Sequence, residues 1–577
     1  MPKILIVGGG YAGFYTAWKL EKWLRPGEAE VTIVDPLPYM TYQPFLPEVA
    51  AGSIEPRHAV VSQRRHLRTT NVITAKVTNV NHAEKKATIT PPVGEPWEFD
   101  YDVVVVTAGS VSRTFPIPGV ADQAIGLKTI EEAVAIRDRL LTNFDKAAQL
   151  APGPERDRLL TFVVVGGGFA GIEIFAELRS LASGLLPKYP QISFEDTHFH
   201  LIEAMGRIMP EVSLPTSHWV IKNLAQRGAE IHLETQLTSA VDGVIELSTG
   251  ESFESDLIVW TAGVMANPTI VRNTDLPIEE RGRIRTRPDL RVGTEDEIVE
   301  GAWAAGDVSA VPDLTGGGVG GFCVPNAQHA VRQGKLMAKN IVAVLRGEGP
   351  TEYVHKNLGA VAGLGIGYGV FQSGKTAIKG LPAWFAHRGY HGLAMPTWER
   401  KLRVIGGWVG NFFLGRDIVS LPGLEQPRAA FEEFAARPKP PAAAAAPAAP
   451  AAPAAAPASV AAPAAAPAVA APAAAAPAAA PASAAKAPRA KAAPKATAEG
   501  GSTAAPAPKS TAPKSTAPKP AAGKGATAKT AATSTTAKGA PARTAAAKSP
   551  RATKSAAPVA EPVVEAPLEA TEQASRK

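Results

Sequence analysis

The chain has a single cysteine and lacks long apolar runs. Because Cys323 is alone among 577 residues, an intramolecular disulfide and a cysteine-based redox pair are both excluded. Before residue 437 no proline-free run reaches the roughly 18 apolar residues of a membrane-spanning helix. The first strand is predicted to begin at Lys3, which leaves no room for a signal peptide. We therefore expect a protein of the cytosol or of the inner face of a membrane.

The C-terminal quarter lacks large apolar side chains. Residues 437–577 are mainly alanine and proline, followed by alanine, lysine, proline, serine and threonine. Such a segment cannot bury enough surface to offset its ordering entropy, so we predict a disordered Ala/Pro/Lys-rich tail. Its 18 Lys and Arg against 5 Asp and Glu give a charge of +13. The remaining 42 basic and 48 acidic residues give −6, so the net charge of +7 originates in the tail.

The tail composition is compatible with three roles. Its spaced lysines, which have no aromatic residues between them, would bind nucleic acid without sequence specificity. They would equally bind anionic lipid. A solvated spacer without a partner is the third role.

One motif occurs twice. The stretches ILIVGGGYAGFYTAWKL (residues 4–20) and VVVGGGFAGIEIFAEL (residues 163–178) each predict a buried strand, a glycine turn and a helix. In G-x-G-x-x-G spacing the first glycine allows a tight turn, the second allows the backbone to approach a pyrophosphate, and the third allows the helix to pack on the strand. The N-terminus of the helix attracts the phosphates. The glycines are Gly8, Gly10 and Gly13 in the first copy and Gly166, Gly168 and Gly171 in the second. The sequence therefore predicts two dinucleotide sites, although the second copy could be a relic without a ligand.

An acidic residue ends the strand that follows each copy. These residues are Asp35, after EVTIV, and Glu203, in HFHLIEA. A carboxylate at this position suits the ribose hydroxyls and repels a 2′-phosphate, which favours NADH over NADPH in the second copy. Glu203 follows its glycines at a longer interval than the usual ~20 residues, and we predict a loop over residues 183–197 that fills the excess.

Three further stretches complete a set of signatures. GAWAAGDVSAV (residues 301–311) ends a strand in Gly306-Asp307, and DVVVVTAGS (102–110) and DLIVWTAGV (256–264) both end in Thr-Ala-Gly. In this order the signatures resemble the two-dinucleotide-binding-domain flavoproteins over about residues 3–345. The resemblance implies an α/β fold with two Rossmann-type domains, in which the FAD half is split around an inserted NADH half.

The resemblance also implies ligands and domain boundaries. FAD would be held by Gly8, Gly10, Gly13, Asp35, Ala108, Gly109, Gly306 and Asp307, and NADH, as substrate, by Gly166, Gly168, Gly171, Glu203 and Gly263. The implied domains are residues 1–115 with 290–350 for FAD, 155–285 for NADH, 351–436 for a C-terminal membrane-associating region, and 437–577 for the tail.

The single cysteine reduces the number of possible electron acceptors. Disulfide reductases and sulfide:quinone oxidoreductases each need more than one cysteine, so both classes are excluded. A quinone, an iron–sulfur protein or oxygen remains. MTYQPFLPEVAAG (residues 40–52) resembles the FQPLLYQVATG segment of type II NADH dehydrogenases, the non-pumping NADH:quinone oxidoreductases. VPNAQHAVRQGKLMAKNI (residues 324–341) resembles their A-Q-x-x-x-Q-Q segment. Gln328 and Gln333 would then contact quinone, although Arg332 replaces the first glutamine of the usual pair.

Glu173 follows the second glycine turn, where the first copy has Tyr15. The G-I-E sequence resembles the family's G-V-E, whose glutamate lies near the nicotinamide and the flavin. The resemblance implies that Glu173 and Gln328 are catalytic, with Glu173 orienting the nicotinamide or relaying protons. The alternative is a glutamate favoured at a helix start by the helix dipole.

Residues 381–420 are predicted to face a membrane surface. An apolar stripe recurs at helical spacing, and Arg400 and Arg403 lie on its other side. The stripe comprises Trp398, Leu402, Ile405, Val409 and Phe412, widened by Trp408 and Phe413. Upstream, Trp384, Phe385 and Tyr390 mix with His387 and Arg388, as suits a headgroup interface. A core-packing helix or a homodimer contact is the alternative.

These observations predict an FAD-dependent NADH:quinone oxidoreductase that does not pump protons and is attached peripherally to the cytoplasmic face of the cell membrane. The rival is a soluble NADH-dependent flavin reductase that passes electrons to ferredoxin or oxygen, with a tail that tethers it to nucleic acid or lipid.

Overall fold

The computed structural model describes residues 1–294, 296–355, 359–421 and 427–435. The predicted tail, residues 437–577, lies outside the described residues. Helices and strands are numbered in chain order.

Within the described residues the helices are α1 (Tyr11–Trp23), α2 (Leu46–Ala50), α3 (Gln63–His66), α4 (Val120–Gln123), α5 (Ile130–Ala147), α6 (Pro154–Leu160), α7 (Phe169–Leu185), α8 (Leu214–Ala225), α9 (Pro268–Val271), α10 (Ala327–Leu345), α11 (Leu381–Ala394), α12 (Trp398–Leu414) and α13 (Ala429–Ala435). The strands are β1 (Lys3–Val7), β2 (Glu30–Asp35), β3 (Tyr39–Thr41), β4 (Val60–Ser62), β5 (Asn71–Thr74), β6 (Lys76–Asn81), β7 (Lys86–Thr90), β8 (Trp97–Asp100), β9 (Val103–Val106), β10 (Ser110–Ser112), β11 (Ala124–Gly126), β12 (Thr161–Val165), β13 (His198–Ile202), β14 (Ala229–His232), β15 (Leu237–Ser239), β16 (Val244–Leu247), β17 (Ser252–Glu254), β18 (Leu257–Trp260), β19 (Val264–Ala266), β20 (Ile284–Arg285), β21 (Arg291–Gly293), β22 (Ile298–Ala304), β23 (Ser309–Ala310), β24 (Ala360–Gly363), β25 (Gly369–Ser373) and β26 (Thr376–Lys379).

The first sheet combines strands from both ends of the folded chain. Its order is β21-β22-β9-β1-β2-β5, and its neighbours are parallel except for β21 and β22. The apolar runs of β1 and β9 are buried, as is typical of parallel strands covered on both faces. Because β22 returns to a sheet begun by β1, the predicted split of the first half is confirmed.

The second sheet forms the inserted half, and its edge strand β11 precedes the range of residues 155–285 implied for that half. Its order is β11-β18-β12-β13-β14, and every neighbouring pair is parallel. β12 occupies the place that β1 has in the first sheet, and α7 follows it as α1 follows β1. The predicted two Rossmann-type domains are therefore confirmed. One local prediction was partly wrong, because α7 continues to Leu185 and so occupies the start of the loop predicted over residues 183–197.

The described residues also form three-stranded antiparallel sheets. β6-β7-β8 belongs to the first half and β15-β16-β17 to the second, whereas β24-β25-β26 comes after α10. The last of these packs against α11, which is followed by α12. None of the helices in the described ranges combines the length and apolarity that a bilayer crossing requires.

The predicted apolar stripe of α12 points away from the protein. Trp398 is 74% exposed and Phe412 82%, and the other members, Leu402, Ile405, Val409 and Phe413, are exposed as well. The inner face carries Val404, which is 1% exposed, and Trp408. A core-packing role for the stripe is thereby excluded. The assignment of Trp408 to the outer face was wrong, because its indole N–H donates to Glu48.

Candidate functional site

The two glycine turns share one backbone geometry. Gly8 has φ of +97° and Gly166 has φ of +112°, where a side chain would strain the backbone. A threonine from the neighbouring strand end holds each turn: Thr107 Oγ1 donates to the carbonyl of Gly8 over 2.9 Å, and Thr261 Oγ1 to that of Gly166 over 3.2 Å. The repeated motif therefore folds into two equivalent turns.

The remaining glycines of each turn differ in the space around them. A Cβ added at Gly13 would collide with the carbonyl oxygen of Gly8, so this glycine allows the helix to approach the strand. A Cβ at Gly10 would meet no atom within 4 Å. Gly10 is also the N-cap of α1, so the first-turn amides of this helix adjoin open space that fits a pyrophosphate. The second turn shows the same pattern at Gly166, Gly168 and Gly171.

Both predicted ribose-binding carboxylates are fixed by their own glycine turn. Asp35 Oδ2 accepts the N–H of Gly9 over 2.5 Å, and Glu203 Oε2 accepts the N–H of Gly167 over the same distance. Burial raises the pKa of Asp35, although the hydrogen bond from Gly9 opposes this. The structure therefore places one oriented carboxylate beside each turn, as the strand-end pattern predicts.

A cavity of about 440 Å³ opens at the first glycine turn. Seven of the eight predicted FAD residues line it: Gly8, Gly10, Asp35, Ala108, Gly109, Gly306 and Asp307. The eighth, Gly13, packs beneath the turn. The lining of the cavity extends from the glycine turn to the Gly306-Asp307 loop. Its backbone amides and its two carboxylates, Asp35 and Asp307, fit the phosphates and hydroxyls of a dinucleotide.

Polar contacts hold the far end of this cavity. Asp307 Oδ2 accepts the hydroxyl of Ser110 over 2.7 Å and lies 3.9 Å from Lys128 Nζ. Sequence reasoning missed Lys128, although the Thr129-Ile-Glu-Glu132 capping box that follows it was a readable signal for the start of α5. This box fixes the chain at Lys128, whose N–H donates to Glu132.

A short antiparallel ladder joins the two Thr-Ala-Gly segments whose threonines hold the glycine turns. β10 continues from Gly109 and β19 from Gly263, and they pair with Val111 opposite Met265. The ladder extends at each end, because Arg113 N–H donates to the Gly263 carbonyl and Asn267 N–H to the Gly109 carbonyl, each over 3.1 Å. Gly263, the fifth residue predicted to bind NADH, therefore lies where the two halves meet.

Glu173 belongs to a group of ionisable side chains, buried or largely buried, that we call the ionic cluster: Glu48, Glu173, Glu177, His387, Arg388 and Arg416. Glu173 Oε1 accepts the N–H of Gly363 over 3.0 Å and lies 3.1 Å from His387 Nε2. Glu48 Oε2 lies 3.1 Å from Arg388 Nη2. The cluster thus connects α2, α7 and α11.

The electrostatics of the cluster favour a charged His387. Its burial lowers the pKa, but the neighbouring Glu173 and Glu48 outweigh burial and raise it. One turn further along α11, burial and the adjacent His387 hold the pKa of His391 well below its usual value. Burial also raises the pKa of Glu177, against the attraction of Arg416. The orientation of α11 corrects the sequence interpretation, because His387 and Arg388 point into the protein rather than towards a lipid surface.

The two predicted quinone residues lie on different faces of α10. Gln333 is buried, and its Oε1 accepts the N–H of Gly306 over 2.8 Å, which fixes the loop that carries Asp307. Gln328 is half-buried. A direct contact of either residue with quinone stays a prediction. The tyrosine that replaces Glu173 in the first copy, Tyr15, is buried beneath Lys335, whose Nζ lies 4.8 Å from its ring centroid.

The single cysteine has a thiol of low reactivity. Cys323 is buried, and burial raises the pKa of its thiol to about 12. A thiolate is therefore scarce at neutral pH, which agrees with the exclusion of cysteine chemistry.

A family model described as pyridine nucleotide-disulphide oxidoreductase matches residues 2–334. A type II NADH:quinone oxidoreductase of Staphylococcus haemolyticus is 31% identical over 392 residues, which cover 65% of this chain and 92% of the relative.

Two solved structures have a similar fold. NDH2 from Plasmodium falciparum in complex with NADH superposes with a TM-score of 0.66 at 18% identity and covers 72% of this chain and 99% of that chain. A water-forming NADH oxidase from Lactobacillus brevis bound to NADH has a TM-score of 0.52 at 21% identity and covers 64% of this chain and 75% of that chain. At these identities the likeness shows the fold alone.

The geometry of the first glycine turn predicts that alanine destabilises the protein at Gly13 but not at Gly10. Gly13→Ala should lower the free energy of unfolding by about 1–3 kcal/mol, because its Cβ meets backbone. Gly10→Ala should leave it within about 1 kcal/mol of wild type, since its Cβ enters open space. Thermal unfolding of the ligand-free protein measures both. Equal losses in the two variants would contradict this geometry.

The ionic cluster predicts a pH-dependent stability. Because the folded pKa of His387 is raised above about 6.5, its pairing with Glu173 stabilises fully below pH ~6.5 and is lost as pH rises through the folded pKa. Glu173→Gln should therefore be less stable than wild type by about 1.5–3 kcal/mol near pH 6 and by less near pH 9. Unfolding temperatures across this range, with the exposed Glu211→Gln as control, provide the measurement. A deficit that does not change with pH would count against the pairing.

Proposed function

Because the chain belongs to the pyridine nucleotide-disulphide oxidoreductase family, and within it to the type II NADH:quinone oxidoreductases, we propose that it oxidises NADH with FAD and reduces a membrane quinone without pumping protons. The observation that carries this proposal is the pair of equivalent glycine turns joined through β10 and β19. The ladder brings the ends of both nucleotide-binding sheets to one place. Electron transfer between a bound flavin and a nicotinamide needs this proximity.

FAD would be held in the cavity of the first half. The first-turn amides of α1 face the pyrophosphate, Asp35 faces a ribose, and Asp307 with Ser110 and Lys128 lines the opposite end. When bound, FAD supplies the two-electron redox chemistry between nicotinamide and quinone. The protein contributes the position of both ligands and the electrostatics around them.

NADH would be held by the second half. Gly168 leaves open space at the N-terminus of α7 for its pyrophosphate, and Glu203 accepts hydroxyls of the adenosine ribose. Glu203 already accepts the N–H of Gly167, so its orientation is set before a nucleotide arrives. Its charge opposes a 2′-phosphate, and we therefore propose a preference for NADH over NADPH.

Proton handling is proposed for the ionic cluster. Quinone reduction consumes two protons, and the Glu173 carboxylate oxygen lies 3.1 Å from an imidazole nitrogen of His387, so this pair would supply one of them. This pair connects α7, which carries the second glycine turn, to α11 beside the exposed apolar surface. We place Glu173 and Gln328 at the catalytic centre as the sequence resemblance implies.

The quinone would reach the protein from a membrane. The outer faces of α11 and α12 expose Phe385, Leu393, Trp398, Leu402, Phe412, Phe413 and Leu414, each more than 60% accessible. Three arginines border this surface with more than half of each side chain exposed: Arg57, Arg65 and Arg403. Arg57 is paired with Glu55, and the other two share Glu399, so three cations face two carboxylates. Apolar side chains rimmed by cations suit an anionic lipid interface. We propose peripheral attachment to the cytoplasmic face of the cell membrane through residues 381–420, with a homodimer contact as the alternative use of this surface.

The acceptor is tested by comparing electron acceptors under one NADH concentration. Purified protein, reconstituted with FAD, should oxidise NADH rapidly with a short-chain quinone and slowly with oxygen or ferredoxin. Glu173→Gln should lower quinone-dependent turnover and alter its pH profile. NADH oxidation that is unaffected by quinone but driven by oxygen or ferredoxin would favour the soluble flavin reductase instead.

The membrane surface is tested with vesicles. Replacing Trp398 and Phe412 together by serine should weaken binding to anionic vesicles at least tenfold, because each buried aromatic contributes about 1.5–3 kcal/mol. Co-sedimentation measures the binding, and NADH oxidation with a water-soluble quinone should not change. Val93 and Met205, exposed apolar residues elsewhere, are the matched serine controls. Undiminished vesicle binding of the Trp398/Phe412 variant, or its conversion from dimer to monomer, would argue against membrane docking.

A further inference from the structure

We propose that His200, Glu230 and His232 form a binding site for a divalent transition metal of the Zn²⁺ class on the second sheet. His200 lies on β13, whereas Glu230 and His232 lie on β14. The register pairs His200 with Glu230 and places His232 opposite Ile202. One ligand atom from each of the three side chains lies within 4.8 Å of the other two.

The distances fit one ion. His200 Nδ1 lies 3.1 Å from His232 Nε2 and 3.7 Å from Glu230 Oε2. Tetrahedral Zn²⁺ with bonds of about 2.0–2.2 Å places its ligand atoms about 3.4 Å apart. The two observed separations lie on either side of this value. Two imidazoles and a carboxylate are also a ligand set that Zn²⁺ takes when a fourth position holds water.

Two of the three proposed ligands, His232 and Glu230, each have a further polar side chain nearby. His232 directs Nε2 into the cluster, and its Nδ1 lies 3.6 Å from Glu251 Oε2. Metal-binding histidines usually donate the second ring N–H to a carboxylate, and Glu251 lies on the side of the ring where it could take this part. The other oxygen of Glu230, Oε1, lies 3.9 Å from His198 Nδ1.

The proposed metal site is buried at His200 and open to solvent at Glu230. His200 is 6% exposed, and its ring stacks on Phe253 with 4.1 Å between centroids. The Glu230 side chain is 52% exposed, so an ion can enter from solvent and the carboxylate can turn onto it. An ordinary hydrogen bond between two imidazoles would explain the His200–His232 contact but not the two flanking carboxylates.

The position of the site gives it a structural consequence. The carbonyl of His232 accepts the N–H of Glu203 over 2.9 Å. An ion bound across His200 and His232 would therefore tie the ends of β13 and β14 together, where the carboxylate proposed for NADH begins. The site is separate from the glycine turn itself, so its occupancy should stabilise the second half without being required for electron transfer.

The test uses the full chain without an affinity tag, stripped of metal with a chelator. Titration with Zn²⁺ in competition with a chromophoric chelator should show one tight equivalent per chain, and Zn²⁺ should raise the unfolding temperature. His232→Ala should weaken Zn²⁺ binding more than 100-fold, and Glu251→Gln by 10–100-fold as expected for an outer partner. His218→Ala, which removes an exposed histidine on α8, should bind as wild type does.

The variant Glu230→Gln separates loss of metal binding from loss of folding, because Glu230 is half-exposed and its substitution does not alter the core. It should lose Zn²⁺ affinity while the metal-free protein unfolds at the wild-type temperature. The proposal is overturned if wild type takes up no stoichiometric Zn²⁺, or if His232→Ala and Glu230→Gln bind it as tightly as wild type.

Discussion

The ladder between β10 and β19 is the constraint on which the arrangement of the two nucleotide sites depends. It is made by backbone groups, with the pairing of Val111 and Met265 at its centre. Each strand of the ladder begins directly after a Thr-Ala-Gly sequence, and the threonine of that sequence holds a glycine turn. The orientation of one turn relative to the other is therefore set by main-chain hydrogen bonds. Side chains then decide only which ligand each turn accepts.

The ionic cluster adds the C-terminal region to this frame. His387 on α11 lies between Glu48 of the first half and Glu173 of the second, at 4.0 and 3.1 Å. Buried ion pairs seldom contribute much to stability, because desolvation offsets the attraction. Perturbed titratable groups of this kind concentrate instead at functional sites. The helix with the buried histidines also exposes apolar side chains, so the buried titratable groups and the proposed membrane surface share one element.

Much of the frame could be predicted from the sequence because it depends on local rules. Glycine spacing and Thr-Ala-Gly repeats each specify a turn whose conformation few other residues allow, and the strand-end acids mark the strand beside each glycine turn. The direction of side chains on α11 and α12 could not be predicted, since it depends on partners distant in the chain. His387 and Arg388 turn inward because Glu48 and Glu173 are there, and Trp408 does so because Glu48 accepts its N–H. The contact of Gln333 with Gly306 was not predicted either, since its amide oxygen accepts from a loop distant in the chain, and the quinone contact implied by the family resemblance stays a prediction.

The central claim is that the joined turns place a nicotinamide within reach of the flavin. The most direct measurement is anaerobic rapid mixing of the FAD-loaded protein with NADH in the absence of any acceptor, followed by visible absorbance and by analysis of NAD⁺. The account predicts loss of the oxidised flavin absorbance, with one NAD⁺ formed for each flavin. Saturable NADH binding that leaves the flavin oxidised would contradict it.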